Sequence, residues 1–321
     1  MIAPARWLLR RGAQVAEKPA RQDPLAADTL TAELLSRVRV IEIKARRLVD
    51  EFFLGEYHAV FRGRGIEFDE IRPYHPGDDA RDIDWKTFAR TGEPFIRRYR
   101  EDRDLTVLFA VDVSASQQVG ALPLSKADLA AELCAVLALA AIRNNDRVGL
   151  LLFAGKPERY VRPRSGVSHV LRVVREVLSA RPESRATDLG AALEYLTSVH
   201  RRHATVFLLS DFLASGYDRE LRAAARYHDI VAIRVREPVD MQLPASGTLL
   251  LQDTETGEMA EVALGSPAIR EAHRQYVGSL DDDRRRLLGE LHIDEIPVMV
   301  GEDYVPALLR FFRRRAAAAA S

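Results

Sequence analysis

Apolar and polar positions change period several times along the 321 residues. Residues 1–27 mix Arg, Pro, Ala and Gln without a period and read as a flexible N-terminal arm. From Asp28 to Phe53, Leu30, Leu34, Val38, Ile41, Leu48 and Phe52 recur at three, four or seven positions. That spacing predicts an amphipathic helix with a core-facing stripe, broken at Gly55. Phe61 to Asp104 is dense in charge of both signs and punctuated by Gly and Pro, with turns at 63–65, 73–77 and 91–94. Asp78 or Asp79 stands where it could cap a short helix carrying Ile83, Trp85 and Phe88, and FIRRYRE reads as a strand.

Beyond residue 104 the pattern alternates. LTVLFAVD, DRVGLLLFA, TVFLLSD, DIVAIRVRE and IDEIPVMV are strand-like runs, with a shorter one at Glu158 to Val161. Between them lie helical patterns from Lys126, from Val167, after Thr187, after Asp211 and from Pro267, and a last one follows Tyr304. Apolar runs with almost no polar alternation are what strands buried on both faces require, so helices must cover both sides. The expected fold is therefore α/β, a doubly wound and mostly parallel, Rossmann-type sheet over residues 104–315. A smaller N-terminal α+β module is expected over 28–103, and a frayed Ala-rich tail over 316–321. GTLLLQDTETGEMAEVAL reads as a hairpin around Gly257.

Composition narrows the function. Acidic and basic residues balance at 47 each, so no global field argues for nucleic acid or an anionic membrane as partner. The lone Cys134 sits in an apolar helical run, which excludes a disulfide and a cysteine-based zinc site and suits a reducing compartment. Trp7, Leu8 and Leu9 lie between arginines without the apolar length of a signal peptide, and no later run approaches a membrane span. The expectation is a soluble, cytoplasmic protein.

The chemistry concentrates where the first strand of the alternating region ends, in Asp112, Ser114 and Ser116. In extended backbone, residues two apart point the same way, so a carboxylate and two hydroxyls converge. Such hard oxygen donors with positions left for water suit Mg²⁺ or Mn²⁺. Equally, Asp and Ser after a strand are ordinary turn formers. A later strand ends in Asp211, and Thr187 with Asp188 stands before a helical pattern that either could cap. Carboxyl ends of strands are where ligands bind in open α/β sheets.

In order and spacing, Asp112, Ser114, Ser116, Thr187 and Asp211 resemble the metal-ion-dependent adhesion site of von Willebrand factor A domains. The resemblance implies that Asp112, the two serines and Thr187 hold the metal directly or through water. It implies that Asp211 acts through water, and that a partner's carboxylate completes the shell. A second and longer likeness is GIEFDEIRPYHPGDDARDIDWK, residues 65–86, which resembles the signature of the bacterial family called domain of unknown function 58. That likeness covers nearly the whole chain after the arm, although Thr254 stands where a proline is common. It implies a von Willebrand factor A-like domain working with a MoxR-type AAA+ ATPase.

Three functions compete. In the first, the protein is a non-enzymatic, metal-dependent adaptor that takes an acidic side chain of a partner and leaves ATP hydrolysis to the ATPase, since no G-x-x-x-x-G-K-[ST] loop occurs. In the second, Asp84 and Lys86 with Glu67 or Asp69 form a metal-dependent nuclease, for which no basic stripe is evident. In the third, the protein is a metal-free scaffold acting through its charged block. Within that block, Glu67, Asp69, Glu70, Arg72, Asp78, Asp79, Arg81, Asp82 and Asp84 could form a docking network, or Tyr74, His75 and Trp85 a recognition face.

Overall fold

The computed structural model describes residues 11–13, 24–61, 65–75, 78–79, 83–102, 105–118, 124–184, 186–243, 248–253, 259–263 and 266–320. The strands are β1 (Arg11–Ala13), β2 (Gly65–Pro73), β3 (Phe95–Asp102), β4 (Thr106–Asp112), β5 (Arg147–Phe153), β6 (Pro157–Arg164), β7 (Thr205–Ser210), β8 (Asp229–Arg236), β9 (Thr248–Asp253), β10 (Met259–Ala263) and β11 (Asp294–Met299). The helices are α1 (Pro24–Leu48), α2 (Leu54–Val60), α3 (Trp85–Thr91), α4 (Ala115–Gln118), α5 (Lys126–Arg143), α6 (Val167–Leu178), α7 (Leu189–Val199), α8 (Asp218–Ala225), α9 (Pro238–Met241), α10 (Pro267–Glu290) and α11 (Val305–Ala320). A π-helical turn, Val49–Phe53, joins α1 to α2.

Six strands form the central sheet in the order β11-β8-β7-β4-β5-β6. All neighbours are parallel except β6, which returns antiparallel along β5 at one edge. This is the doubly wound, mostly parallel α/β sheet that the strand and helix alternation predicts. From β4 the chain moves outward to β5 on one side, and later to β7, β8 and β11 on the other. The order therefore reverses between β4 and β7, and their carboxyl ends flank the crevice where ligands of such sheets sit.

Both faces of the sheet are covered. Val107, Phe109 and Val111 of β4 point to one core, with α5, α6 and α11, while Leu108 and Ala110 point to the other, with α7, α8 and the end of α10. Full burial on both sides explains why these strands carry no polar alternation.

The N-terminal helix departs from the expected division in two ways. Val38, Ile41, Ala45, Val49, Phe53 and Tyr57 are buried in the first of the two cores, so the helix packs on the sheet domain rather than forming part of a separate module. It also runs through Gly55 to Val60. Glycine costs a helix about 1 kcal/mol relative to alanine, which the packing of Phe53 and Tyr57 around Phe312 outweighs. The π turn inserts one residue into the helical repeat. It thereby turns Phe53 inward and leaves Phe52, expected on the buried stripe, 43% exposed.

The charged block forms the antiparallel pair β2–β3 with α3 between its strands. Asp84, not Asp78 or Asp79, caps α3, accepting from the Thr87 backbone N–H at 3.3 Å and the Thr87 hydroxyl at 2.8 Å. Asp78 takes a bidentate pair from Arg72 at 2.7 and 2.8 Å and the His75 N–H at 2.9 Å. With Arg72 beside it, the Asp78 carboxyl is lowered to about 2.

The hairpin expected around Gly257 is present as β9 and β10, its turn lying outside the described residues. Within the stretch expected to be a loose arm, Arg11–Ala13 pairs with β9 and α1 begins at Pro24. At the other end α11 continues through the Ala run to Ala320, where fraying was expected from 316. Alanine is the strongest helix former, so the run extends the helix.

Candidate functional site

β4 ends at Asp112, and the next residues turn into the single helical turn α4. The Asp112 carboxylate folds back on this turn, accepting from the Ser114 N–H at 2.9 Å through one oxygen and from the Ser210 hydroxyl at 2.9 Å through the other. Ser114 Oγ lies 3.2 Å from Ser116 Oγ. Thr187 Oγ1 donates to Ser114 Oγ at 2.8 Å. Ser116 Oγ donates to Asp211 Oδ2 at 3.3 Å. All five residues expected at the site are thus joined by hydrogen bonds, with Ser210 tying Asp112 to β7.

Local backbone explains the convergence. Asp188, rather than Thr187, caps α7, accepting from the Ala191 N–H at 2.8 Å, which leaves the Thr187 hydroxyl for the site. The Asp188 N–H in turn donates to the Ala154 carbonyl just beyond β5, at 2.8 Å. Beside it, a Cβ on Gly155 would strike Ser184 Oγ, so glycine lets the threonine loop close onto the sheet edge. After Asp211 the chain turns sharply at Phe212, whose φ of 54° is rare for a bulky residue. Phe212 is fully buried, its N–H donating to Ser210 Oγ at 3.2 Å. Arg236, buried and paired with Asp281, also donates to the Asp211 carbonyl at 3.1 Å. Asp281 further pairs with Arg284, so the Asp211 backbone is tied to β8 and α10.

Two side chains that the sequence did not flag complete the site. Lys126, 2% exposed, donates to Asp211 Oδ2 at 3.1 Å and lies 2.7 Å from Asp240 Oδ2 on α9. Gln117 Nε2 donates to the same Asp211 oxygen at 3.0 Å. A signal for Lys126 was present. Ser125 and Asp128 form a capping box at the start of α5, which makes Lys126 the first helical residue, where the helix dipole disfavours a cation.

The two carboxylates differ in their electrostatics. Burial, with the Asp211 charge added, pushes Asp112 up to about 7. Burial also opposes ionisation of Asp211, but the Lys126 ammonium and the Leu213 N–H outweigh it and hold that carboxyl below its usual range. Lys126 is kept charged because Asp211 and Asp240 together overcome its own burial. Asp211 is therefore compensated from within the protein, while Asp112, which accepts only from an amide and hydroxyls in these contacts, is short of positive charge.

That shortage tests whether a divalent cation fits. The donors are all hard oxygens, one carboxylate is under-compensated, and the rim at Ser116 is exposed with Thr187 half-buried. Mg²⁺ or Mn²⁺ matches this set. Asp112, Ser114, Ser116 and Thr187 are the residues that would hold it, with Asp211 already engaged by Lys126, Gln117 and Ser116. Of the alternative nuclease set, the Asp84 carboxylate caps α3, and the side chains of Glu67, Asp69 and Lys86 lie outside the described ones.

The family model "Protein of unknown function DUF58" matches residues 70–280. The chain belongs to the DUF58 family. Uncharacterized DUF58 relatives in Mycobacterium bovis and Mycobacterium tuberculosis are each 31% identical over 300 residues, covering 92% of this chain and 94% of theirs. Among solved structures, BatB of Bacteroides thetaiotaomicron is 17% identical, at a TM-score of 0.43, covering 66% of this DUF58 chain and all but 1% of its own. The SpRpn10 VWA domain is 10% identical at a TM-score of 0.33, with 64% of this chain and 94% of the other covered. Among the described residues no helix is long and apolar enough to cross a membrane.

Proposed function

We propose that this DUF58 protein is a non-enzymatic, metal-dependent adaptor of the cytoplasm, holding Mg²⁺ or Mn²⁺ at Asp112, Ser114, Ser116 and Thr187, with Asp211 behind them. An acidic side chain of a partner completes the shell. The observation that carries the reading is the hydrogen-bonded chain of hydroxyls at the β4–β7 crevice, set against a buried Asp112 that has no cationic partner among the described residues. A cation bound mainly by neutral hydroxyls and one carboxylate stays electrophilic, which selects an incoming Asp or Glu. The partner proposed, as the family resemblance implies, is a MoxR-type AAA+ ATPase or the client it acts on. Capture of that ATPase by the wild-type chain in Mg²⁺, lost on chelation and lost in Asp112→Ala with folding intact, is the expected result. Capture that is unchanged in Asp112→Ala rules the metal-bridged version out.

A second reading has its own observation. Lys126 already supplies a fixed cation to Asp211, so the site could serve a scaffold that binds partners without metal. Partner capture would then survive EDTA.

A further inference from the structure

At the opposite end of the sheet from Asp112, the amino ends of β4 and β5 open into a cleft of about 640 Å³. Thr106 and Arg147 begin those two strands, Tyr160 and Arg162 come from the edge strand β6, and His200 and Arg202 follow α7. The cleft is in the size range of small-molecule sites.

Three arginines, Arg147, Arg162 and Arg202, gather at this one opening. Several arginines of the domain are tied to carboxylates, among them Arg236 and Arg284 to Asp281, Arg315 to Asp229 and Asp294, and Arg159 to Glu176. Arg147, Arg162 and Arg202 have no carboxylate partner among the described residues. The Arg147 Nε and His200 Nε2 are buried without any hydrogen-bond partner. Burial and the charges of Arg202 and Arg147 keep His200 below its ordinary pKa, as a positive local field demands. The nearby His228 is lowered further by burial, His200 and His203. The carboxyl end of α7 faces this region and would attract a cation, but it offers only about half a charge, against three guanidiniums.

We propose that this cleft is a binding site for the phosphate group of a small phosphorylated ligand. The guanidinium is a planar fork that bonds phosphate oxygens in pairs, and an unpaired buried N–H is costly until such an acceptor arrives. Three guanidiniums around one opening, with Arg162 and Arg202 exposed at its rim and Arg147 deeper, suit a multiply charged oxyanion better than a single carboxylate. Tyr160, in edge-on contact with Tyr195 at 6.3 Å, borders the opening and offers apolar surface beside the charges.

Calorimetric titration of the full chain with inorganic phosphate, tripolyphosphate and ATP, in moderate salt and without added metal, tests this. Expected is saturable one-to-one binding, weakened at least about tenfold in Arg147→Gln and in the surface variant Arg162→Gln, as loss of one charge-assisted pair implies. The control Arg219→Gln, an exposed arginine on α8, is expected to bind like wild type. ATP binding tighter than tripolyphosphate would identify a nucleotide, and equal binding the phosphate chain alone. Absence of saturation at millimolar ligand, or equal loss in the control, overturns the proposal. None of these results depends on the site at Asp112.

Discussion

Replacing Lys126 by Met removes the ammonium that lies 3.1 Å from Asp211 and 2.7 Å from Asp240 while keeping most of the side chain's bulk. A charge pair about 4 Å apart is worth roughly 4 kcal/mol at the effective dielectric typical of proteins. Removing one partner of a buried pair costs about 3–5 kcal/mol because the other charge is stranded. The metal-free variant is therefore expected to lose about that much stability in urea or thermal unfolding. The same stranded charge makes a divalent cation more welcome. If only a third of the lost attraction returns on metal binding, the Kd for Mg²⁺ falls about tenfold. Metal at a hundred times its Kd then restores about 2.7 kcal/mol. Lys126→Arg, which keeps the charge, is expected to retain wild-type affinity. An unchanged or weaker Mg²⁺ affinity in a folded Lys126→Met protein would refute the view that the lysine and the metal answer to the same negative charge.

Tyr57 on α2 donates to Asp146 at 2.9 Å, and Asp146 accepts the Leu105 N–H at 3.1 Å before β4. If α1 and α2 belong to the sheet domain, Tyr57→Phe should cost about 1.5–3 kcal/mol in a single unfolding transition. A separate early transition would show an independent N-terminal unit. His228, buried with both ring nitrogens unpartnered, is lowered to about 4. Its folded pKa lies below the unfolded value of about 6.5. The stabilisation is therefore complete above pH 6.5 and declines as pH falls toward 4, by about 1–2 kcal/mol. Unfolding curves of wild type and His228→Phe across that range should differ in slope.

The sheet was legible because strands buried on both faces cannot hide their composition, and the five oxygen-bearing residues because they stand at strand ends and a helix start. What was missed follows from single-residue events. The π turn at Val49–Phe53 exchanges Phe52 for Phe53, and a periodicity that assumes uniform helix cannot register one inserted residue. The choice between Thr187 and Asp188 as cap depends on the Ala154 carbonyl, which only the folded loop brings near. Asp84 caps α3 because that helix begins later than the acid pair at 78–79 suggests. In sequence Lys126 reads only as part of the helix it opens, and its role rests on Asp240, more than a hundred positions away in the chain.

The most direct measurement is a calorimetric titration of Mg²⁺ and Mn²⁺ into wild type and Asp112→Ala, carried to millimolar metal because a partner's ligand is missing from the shell. The account predicts one-site binding to the wild type that disappears in a folded Asp112→Ala protein. Equal heats in the two proteins, or no binding by the wild type even with its acidic partner present, would contradict it.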